Sequence, residues 1–195
     1  MKKTIEFGRY FFKKGELQEI EWVVLNEMPD GKKLLISKYC IEALQYEYEE
    51  NENEDPRWEN CAIRRWLNNY FINTFFTVKE KALMSPIPVE LSDGTVLEDK
   101  IILLDAKQVE EYLPDETKRK AKPTPWAKRS QYGDRPYGDR LYTEKGYCTW
   151  LLRDPSKRFM GNYTGIYPDG TFDFDGADFY RGGPRGFRPV ILVSI

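Results

Sequence analysis

The residues best suited to molecular recognition are concentrated in the last third of the sequence. Tyr132-Gly133-Asp134-Arg135 is repeated as Tyr137-Gly138-Asp139-Arg140, and the run from Gly176 to Arg185 has a similar composition. Tyrosine supplies rigid contact area, glycine lets the backbone adapt, and Asp and Arg supply paired charge, as in antibody binding loops. We therefore predict an exposed contact set in these loops. Its members are Tyr132, Arg135, Tyr137, Arg140, Tyr163, Tyr167, Tyr180, Arg181 and Arg185.

Histidine is absent from the 195 residues. This excludes Ser-His-Asp and Cys-His catalytic arrangements, and it removes the commonest general base and metal ligand. The three cysteines, Cys40, Cys61 and Cys148, are widely spaced and contain no CxxC metal-binding pair. We expect each of them to be a small buried hydrophobic residue and not part of a disulfide framework.

Four carboxylates lie close together in the sequence, at Asp169, Asp173, Asp175 and Asp178. Such a group has the oxygen ligands that calcium prefers. However, Asp169-Gly170 and Asp175-Gly176 are ordinary turn pairs, and the alternation of Phe172, Asp173 and Phe174 is typical of a strand. The turn interpretation is favoured, and we expect neither a metal nor a cofactor.

The segment 118–129 is rich in Lys and Arg and contains Trp126, a combination that could grip phosphates while the indole stacks on a base. The net charge of the whole chain is −2, which favours the alternative of a solvated loop and argues against nucleic acid as a partner. No apolar run approaches the roughly 20 residues that span a bilayer. The N-terminus also lacks the apolar stretch of a signal peptide, so we expect a cytoplasmic or phage-associated protein without a membrane partner.

Strands and helices alternate in a pattern typical of an α+β domain with a mainly antiparallel sheet. A hairpin is predicted from Ile20-Leu25 and Lys33-Ser37 around Pro29-Asp30-Gly31, with later strands near 100–104, 149–153 and 188–194. Helices are predicted after a cap at Asn60 and after the capping boxes that begin at Thr77 and Asp105. A long connection without regular structure is predicted for 114–146. No linker interrupts the pattern, which indicates one domain over residues 1–195.

Several segments together resemble DUF6273, a bacterial and phage domain family of unknown function. They are Phe7-Tyr10, Ile20-Leu25, Leu34-Tyr39, Trp58-Cys61 with Ile63-Asn68, Trp150-Arg153 and Gly186-Val190. The resemblance implies a C-type-lectin-like fold, related to formylglycine-generating enzymes and to the variable proteins of diversity-generating retroelements. In such a fold both termini meet in one sheet, two or three helices come from the first half, and the second half forms a loop-rich ligand face.

The sequence departs from the active relatives of that fold. Formylglycine-generating enzymes use a cysteine pair near the C-terminus, whereas no cysteine follows Cys148 here. The Glu-Pro-Asn and Trp-Asn-Asp motifs of calcium-dependent lectins are also absent. We therefore expect a non-enzymatic domain that binds a protein or a glycan through its second-half loops. The alternatives are an enzyme that uses carboxylate, Tyr and Arg chemistry, and a nucleic-acid-binding protein that uses residues 118–129.

Overall fold

The computed structural model describes residues 4–46, 57–132, 145–156, 162–178 and 185–195. Its strands are β1 (Thr4–Lys13), β2 (Glu16–Glu27), β3 (Lys33–Ser37), β4 (Glu42–Leu44), β5 (Met84–Ser85), β6 (Ile87–Glu90), β7 (Val96–Asp99), β8 (Ile101–Ile102), β9 (Trp150–Pro155), β10 (Asn162–Ile166), β11 (Phe172–Asp178), β12 (Arg185–Phe187) and β13 (Val190–Val193). Its α-helices are α1 (Ala62–Arg65), α2 (Ile72–Phe75), α3 (Val78–Leu83), α4 (Ala106–Tyr112), α5 (Glu116–Arg119) and α6 (Pro125–Tyr132). A 3₁₀ turn at Trp58–Asn60 precedes α1, and a π-helical stretch at Trp66–Phe71 joins α1 to α2.

Both ends of the chain lie in one six-stranded sheet. Its order is β1-β2-β3-β13-β5, and β8 also pairs with β13. All its pairings are antiparallel. Strand β13 is buried along its whole length, as its uninterrupted apolar sequence predicts. The first hairpin has a register shift between Glu6 and Arg9, where Gly8 has a φ of 69° and β1 forms a bulge.

The second half of the chain builds a five-stranded sheet of order β11-β10-β9-β12-β4. It is antiparallel except where β12 runs parallel to β9. Strand β4 is the contribution of the first half to this sheet, and it pairs with β12. The short link from β3 to β4 therefore connects the two sheets, and the predicted α+β class with mainly antiparallel pairing is confirmed.

The main helical segment of the first half differs from the predicted one at its start. Cys61, and not Asn60, is the N-cap, because its Sγ accepts a hydrogen bond of 3.4 Å from the backbone N–H of Arg64. The Asn60 side chain instead accepts from the backbone N–H of Arg57 at 2.7 Å. In the π-helical stretch, Asn68 donates to the Ile101 carbonyl at 2.8 Å and accepts from its N–H at 3.1 Å. The Asn68 side chain therefore pairs with the same backbone groups of β8 that a neighbouring strand would pair with, and it joins the helix to that strand.

The connection 114–146 is more ordered than predicted, since its described part contains α5 and α6. Asp115 caps α5 by accepting from the N–H of Thr117 at 2.8 Å. Thr124 directly precedes α6 and caps it, because its Oγ1 accepts from the N–H of Ala127 at 3.0 Å. Pro125 occupies the first helical position, where its missing N–H costs nothing. Asp115 and Thr124 are typical N-cap residues, but the high content of Pro and Lys in this segment favoured an irregular connection in the sequence-based prediction.

Among the residues that the structure describes, no helix combines the length and the apolar character needed to cross a membrane.

Candidate functional site

The described part of the second half presents an aromatic surface on the β10–β11 hairpin. Tyr167, in the turn, is 39% exposed and Phe174, in β11, is 41% exposed. Phe172 is partly buried, and its ring stacks on that of Phe174 with 5.2 Å between centroids and 15° between planes. We call Tyr167, Phe172 and Phe174 the hairpin face. Because β11 is the end strand of its sheet, this face lies at an edge of the five-stranded sheet.

Contacts inside the turn and below it position the hairpin face. The N–H of Tyr167 donates to the carbonyl of Thr171 at 2.8 Å, and the N–H of Gly170 donates to the carbonyl of Tyr167 at 2.9 Å. The guanidinium of Arg119 lies over the ring of Phe172, 4.7 Å from its centroid. This cation–π contact holds Phe172 from the side of α5. The face is therefore built on a fixed hairpin and not on a free loop.

Asp169 is part of this turn. Its carboxylate accepts from the N–H of Thr171 at 3.0 Å and from its hydroxyl at 2.7 Å. These hydrogen bonds lower the pKa of Asp169. The turn interpretation of Asp169-Gly170 is confirmed. Within the described residues, no group of three or more Cys, Asp or Glu side chains is arranged to hold a metal ion.

The structure describes only part of the predicted contact set. Tyr167 is exposed as predicted, and Arg185 is partly exposed in β12, opposite Leu44. Tyr163 corrects the prediction, because it is 1% exposed and stacks on Tyr46 in the core. Its side chain lies on the side of β10 that packs against Tyr46, and not on the solvent side. Tyr132 ends α6, and its side chain lies outside the described residues, as do Arg135, Tyr137, Arg140, Tyr180 and Arg181.

The basic stretch 118–129 does not present Trp126 as an open stacking platform. The indole ring packs against Phe11, with centroids 5.0 Å apart, and its N–H donates to Glu42 at 2.7 Å. Arg119 is buried and donates to the carbonyls of Leu113 at 2.7 Å and Pro114 at 3.1 Å. Trp126, which the nucleic-acid hypothesis needed as a stacking platform, and one of the basic residues of the stretch, Arg119, are therefore engaged within the fold.

A buried carboxylate at Glu42 was not anticipated from the sequence. Its side chain accepts three hydrogen bonds, from the hydroxyl of Tyr10 at 2.5 Å, the indole of Trp126 at 2.7 Å and the N–H of Ala43 at 2.9 Å. None of the ion pairs within the described residues includes it. Burial, with a contribution from the charge of Glu42, raises the pKa of Tyr10 well above its usual range, so Tyr10 stays a donor. The one available signal was a Glu inside the apolar run Ile41-Glu42-Ala43-Leu44.

Removing the donor at Tyr10 tests the importance of this cluster. We expect Tyr10→Phe to lower the free energy of unfolding by about 2 kcal/mol, because a buried carboxylate would lose one of its donors. Chemical denaturation monitored by tryptophan fluorescence measures the change. Tyr70→Phe is the matched control, since Tyr70 is 54% exposed. Equal stability of both variants and the parent would show that the Tyr10–Glu42 contact contributes little.

Arg153 makes charge-assisted contacts with the start of α4. It pairs with Asp105 and donates to Gln108 and to the carbonyl of Leu103, both at 2.8 Å. Asp105 and Gln108 form the capping box of α4, so Arg153 joins β9 to the start of that helix. Its role in this position is structural.

Comparison with known proteins places the chain in one family. The family model of a domain of unknown function, DUF6273, matches residues 30–195. The resembling segments Phe7-Tyr10 and Ile20-Leu25 precede the matched region. No curated protein and no solved structure matches the chain. Because the match covers most of the sequence, including the five-stranded sheet and the helical segments, the chain belongs to the DUF6273 family.

Proposed function

We propose that this domain is a non-enzymatic recognition module that binds a protein partner through its second half, with the hairpin face at the centre of the contact. The observation that carries the proposal is the exposed ring of Phe174, stacked on the partly buried Phe172, on an end strand of the five-stranded sheet. Aromatic residues dominate the binding energy of protein interfaces, because they bury a large area at a small cost in side-chain entropy.

The way the rings are held also supports binding. Phe174 stacks on Phe172, and Phe172 lies beneath the buried guanidinium of Arg119. A partner that covers Phe174 would therefore meet a ring whose position is already restricted. Preorganisation of this kind lowers the entropic cost of association.

A protein fits the surface better than a glycan does. In the described residues β11 pairs with β10 alone, so its outer side offers the backbone geometry that an added peptide strand uses. Main-chain hydrogen bonds to β11 and burial of Phe174 would reinforce each other in one contact.

The C-type-lectin-like fold is a second part of the proposal. It is supported by the presence of β1 and β13 in one sheet, by a helical segment from the first half, and by a second sheet built mainly from the second half. In this view the second sheet carries the recognition surface, and the six-stranded sheet is the scaffold. A cytoplasmic or phage-associated location belongs to the same proposal.

The proposal is tested by capturing proteins from an extract of the source cells, followed by titration of each purified candidate. For the true partner, we expect Phe174→Ala to weaken binding by roughly 30-fold, the size of an interface hot spot. Tyr167→Ala should weaken it less, and the unfolding temperature of both variants should stay within a few degrees of the parent. Tyr70→Ala, on the first half of the chain, is the aromatic control and should leave affinity unchanged.

Two outcomes would contradict the proposal. Undiminished affinity of both hairpin variants would place the binding site elsewhere. Retention of a purified glycan with the same dependence on Phe174 would replace the protein partner by a carbohydrate. The enzyme alternative and the nucleic-acid alternative stay predictions, and the engaged positions of Trp126 and Arg119 are unfavourable to the second.

A further inference from the structure

Two cysteines that are 108 positions apart in the sequence meet in the core. The sulfur atoms of Cys40 and Cys148 are 3.5 Å apart, and the thiol of Cys148 donates a hydrogen bond to Cys40. Both residues are fully buried and neither is in a disulfide. Sulfur atoms at this separation need to approach by only about 1.5 Å to reach the bonding distance of a disulfide.

Backbone contacts hold both cysteines against one segment of the chain. The N–H of Cys40 donates to the carbonyl of Lys122 at 3.0 Å, and the N–H of Cys148 donates to the carbonyl of Ala121 at 2.9 Å. Gly186 packs directly on Cys40, where an added Cβ would lie 3.1 Å from the Cys40 Cβ and 3.2 Å from its sulfur. The pair is therefore positioned by two separate parts of the fold, the segment at Ala121 and Lys122 and the strand that contains Gly186.

A buried cation lies beside the pair. Arg188 is 4% exposed, and its guanidinium lies over the ring of Trp150, 5.2 Å from the centroid. Its Nε donates to the carbonyl of Ser37 at 2.9 Å, whereas its Nη1 has no hydrogen-bond partner among the described residues. A buried polar atom without a partner is rare and points to a role beyond packing.

The electrostatics of the cluster couple the arginine to the sulfurs. Burial lowers the pKa of Arg188 to about 10, so Arg188 is still charged near neutral pH. Negative charge on Cys40 or Cys148 acts in the opposite direction and raises the pKa of Arg188. The hydrogen bond to Cys40, followed by burial, raises the pKa of Cys148, so Cys148 retains its proton. A positive charge near a thiol pair favours the thiolate, which is the reactive form.

We propose that Cys40 and Cys148 are a redox-active dithiol that a peroxide converts to an intramolecular disulfide, with Arg188 as the positioning residue that stabilises the anionic sulfur. In the first step, the Cys40 sulfur, which accepts the hydrogen bond from the Cys148 thiol, attacks one oxygen of hydrogen peroxide as the thiolate, the O–O bond breaks, and a sulfenic acid and hydroxide form. In the second step, the other thiol displaces the sulfenic oxygen as water, and the S–S bond forms. Two thiols and one peroxide thus yield one disulfide and two waters.

The third cysteine provides an internal control. Cys61 is also buried, but its sulfur is used as the cap of α1 and donates to the carbonyl of Trp58 at 3.5 Å. The 3.5 Å sulfur contact joins Cys148 to Cys40 and does not involve Cys61. Selective cross-linking of Cys40 to Cys148 therefore distinguishes an arranged pair from general oxidation of buried thiols.

The test treats the folded protein with hydrogen peroxide, quenches the reaction, denatures and alkylates the protein, and maps the peptides by mass spectrometry. We expect a Cys40–Cys148 cross-link that lacks two hydrogens, alkylated Cys61, and reversal by dithiothreitol. The cross-link should raise the unfolding temperature by roughly 10 °C, because it closes a loop of about 100 residues in the unfolded chain. Cys40→Ser should abolish both the cross-link and the rise.

The role of Arg188 is tested by the rate of cross-linking at equal peroxide concentration. Arg188→Met should slow it roughly tenfold, as expected for a loss of thiolate, and Arg188→Lys should restore much of the rate. Equal rates in the two variants would overturn the role of the charge. If neither variant folds, the peptide map of the parent still decides the proposal. Sulfinic or sulfonic acid without a cross-link, a cross-link to Cys61, or no reaction before global unfolding would overturn it.

Discussion

Replacing Asp99 with alanine is expected to lower the free energy of unfolding by about 3–5 kcal/mol, the cost of removing one partner from a buried ion pair. Asp99 is 3% exposed in its side chain and accepts two hydrogen bonds of 2.8 Å from Arg64, from Nε and Nη2. It also accepts from the indole N–H of Trp58 at 2.8 Å. Without the carboxylate, the guanidinium would keep only its hydrogen bond to the Glu59 carbonyl, and the buried indole N–H would lose its acceptor.

The expected loss corresponds to a fall in unfolding temperature of about 10 °C for a domain of this size. Calorimetry on the parent and the variant measures it. Glu98→Ala is the matched control, because Glu98 is the exposed neighbour in the same strand and should leave stability nearly unchanged. A loss below about 1 kcal/mol for Asp99→Ala would mean that water replaces the carboxylate without penalty.

Gly170→Ala is expected to lower the free energy of unfolding by about 3 kcal/mol, through backbone strain and a steric clash that act together. Gly170 has a φ of +96°, and a Cβ at this position would lie 2.1 Å from the carbonyl oxygen of Glu116. The clash is with backbone, so no side-chain rotation relieves it. The turn would have to move away from α5, and the hairpin face would move with it.

A second glycine separates strain from clash. Gly94 has a φ of +84° but no atom within 4 Å of the added Cβ, so Gly94→Ala should cost only roughly 1 kcal/mol of strain. Denaturant titration of both variants gives the difference. If partner binding depends on the hairpin face, Gly170→Ala should weaken it and Gly94→Ala should not. Equal stability losses for the two glycines would remove the argument that α5 positions the turn.

Local features of the fold were predicted well from the sequence. Strand β3 has the predicted bounds, Lys33–Ser37. The capping boxes at Thr77 and Asp105 both form, and each involves residues only three positions apart. Such contacts depend on neighbours in the sequence, so the residue types at fixed spacing are enough to indicate them.

Contacts between distant segments were not predictable in the same way. Glu42 accepts from residues 32 and 84 positions away, and Asp99 pairs with an arginine 35 positions away. No spacing rule links such residues, because their approach depends on how distant strands and helices pack together. The same reason explains Tyr163, whose type suits an exposed contact residue but whose strand lies inside the five-stranded sheet.

The sequence by itself determined the α+β class, the hairpins, the capping boxes at Thr77 and Asp105 and the burial of the three cysteines, because each of these depends on local propensity and hydrophobic pattern. Only the tertiary structure decided which buried groups meet. It placed Trp126 on Glu42, Tyr163 in the core, and Cys40 beside Cys148 and Arg188. The structure also showed that Tyr167 of the predicted contact set is exposed, and that it shares the hairpin with Phe172 and Phe174. The physical reason is that β11 is the end strand of its sheet, so only one of its sides is paired with another strand.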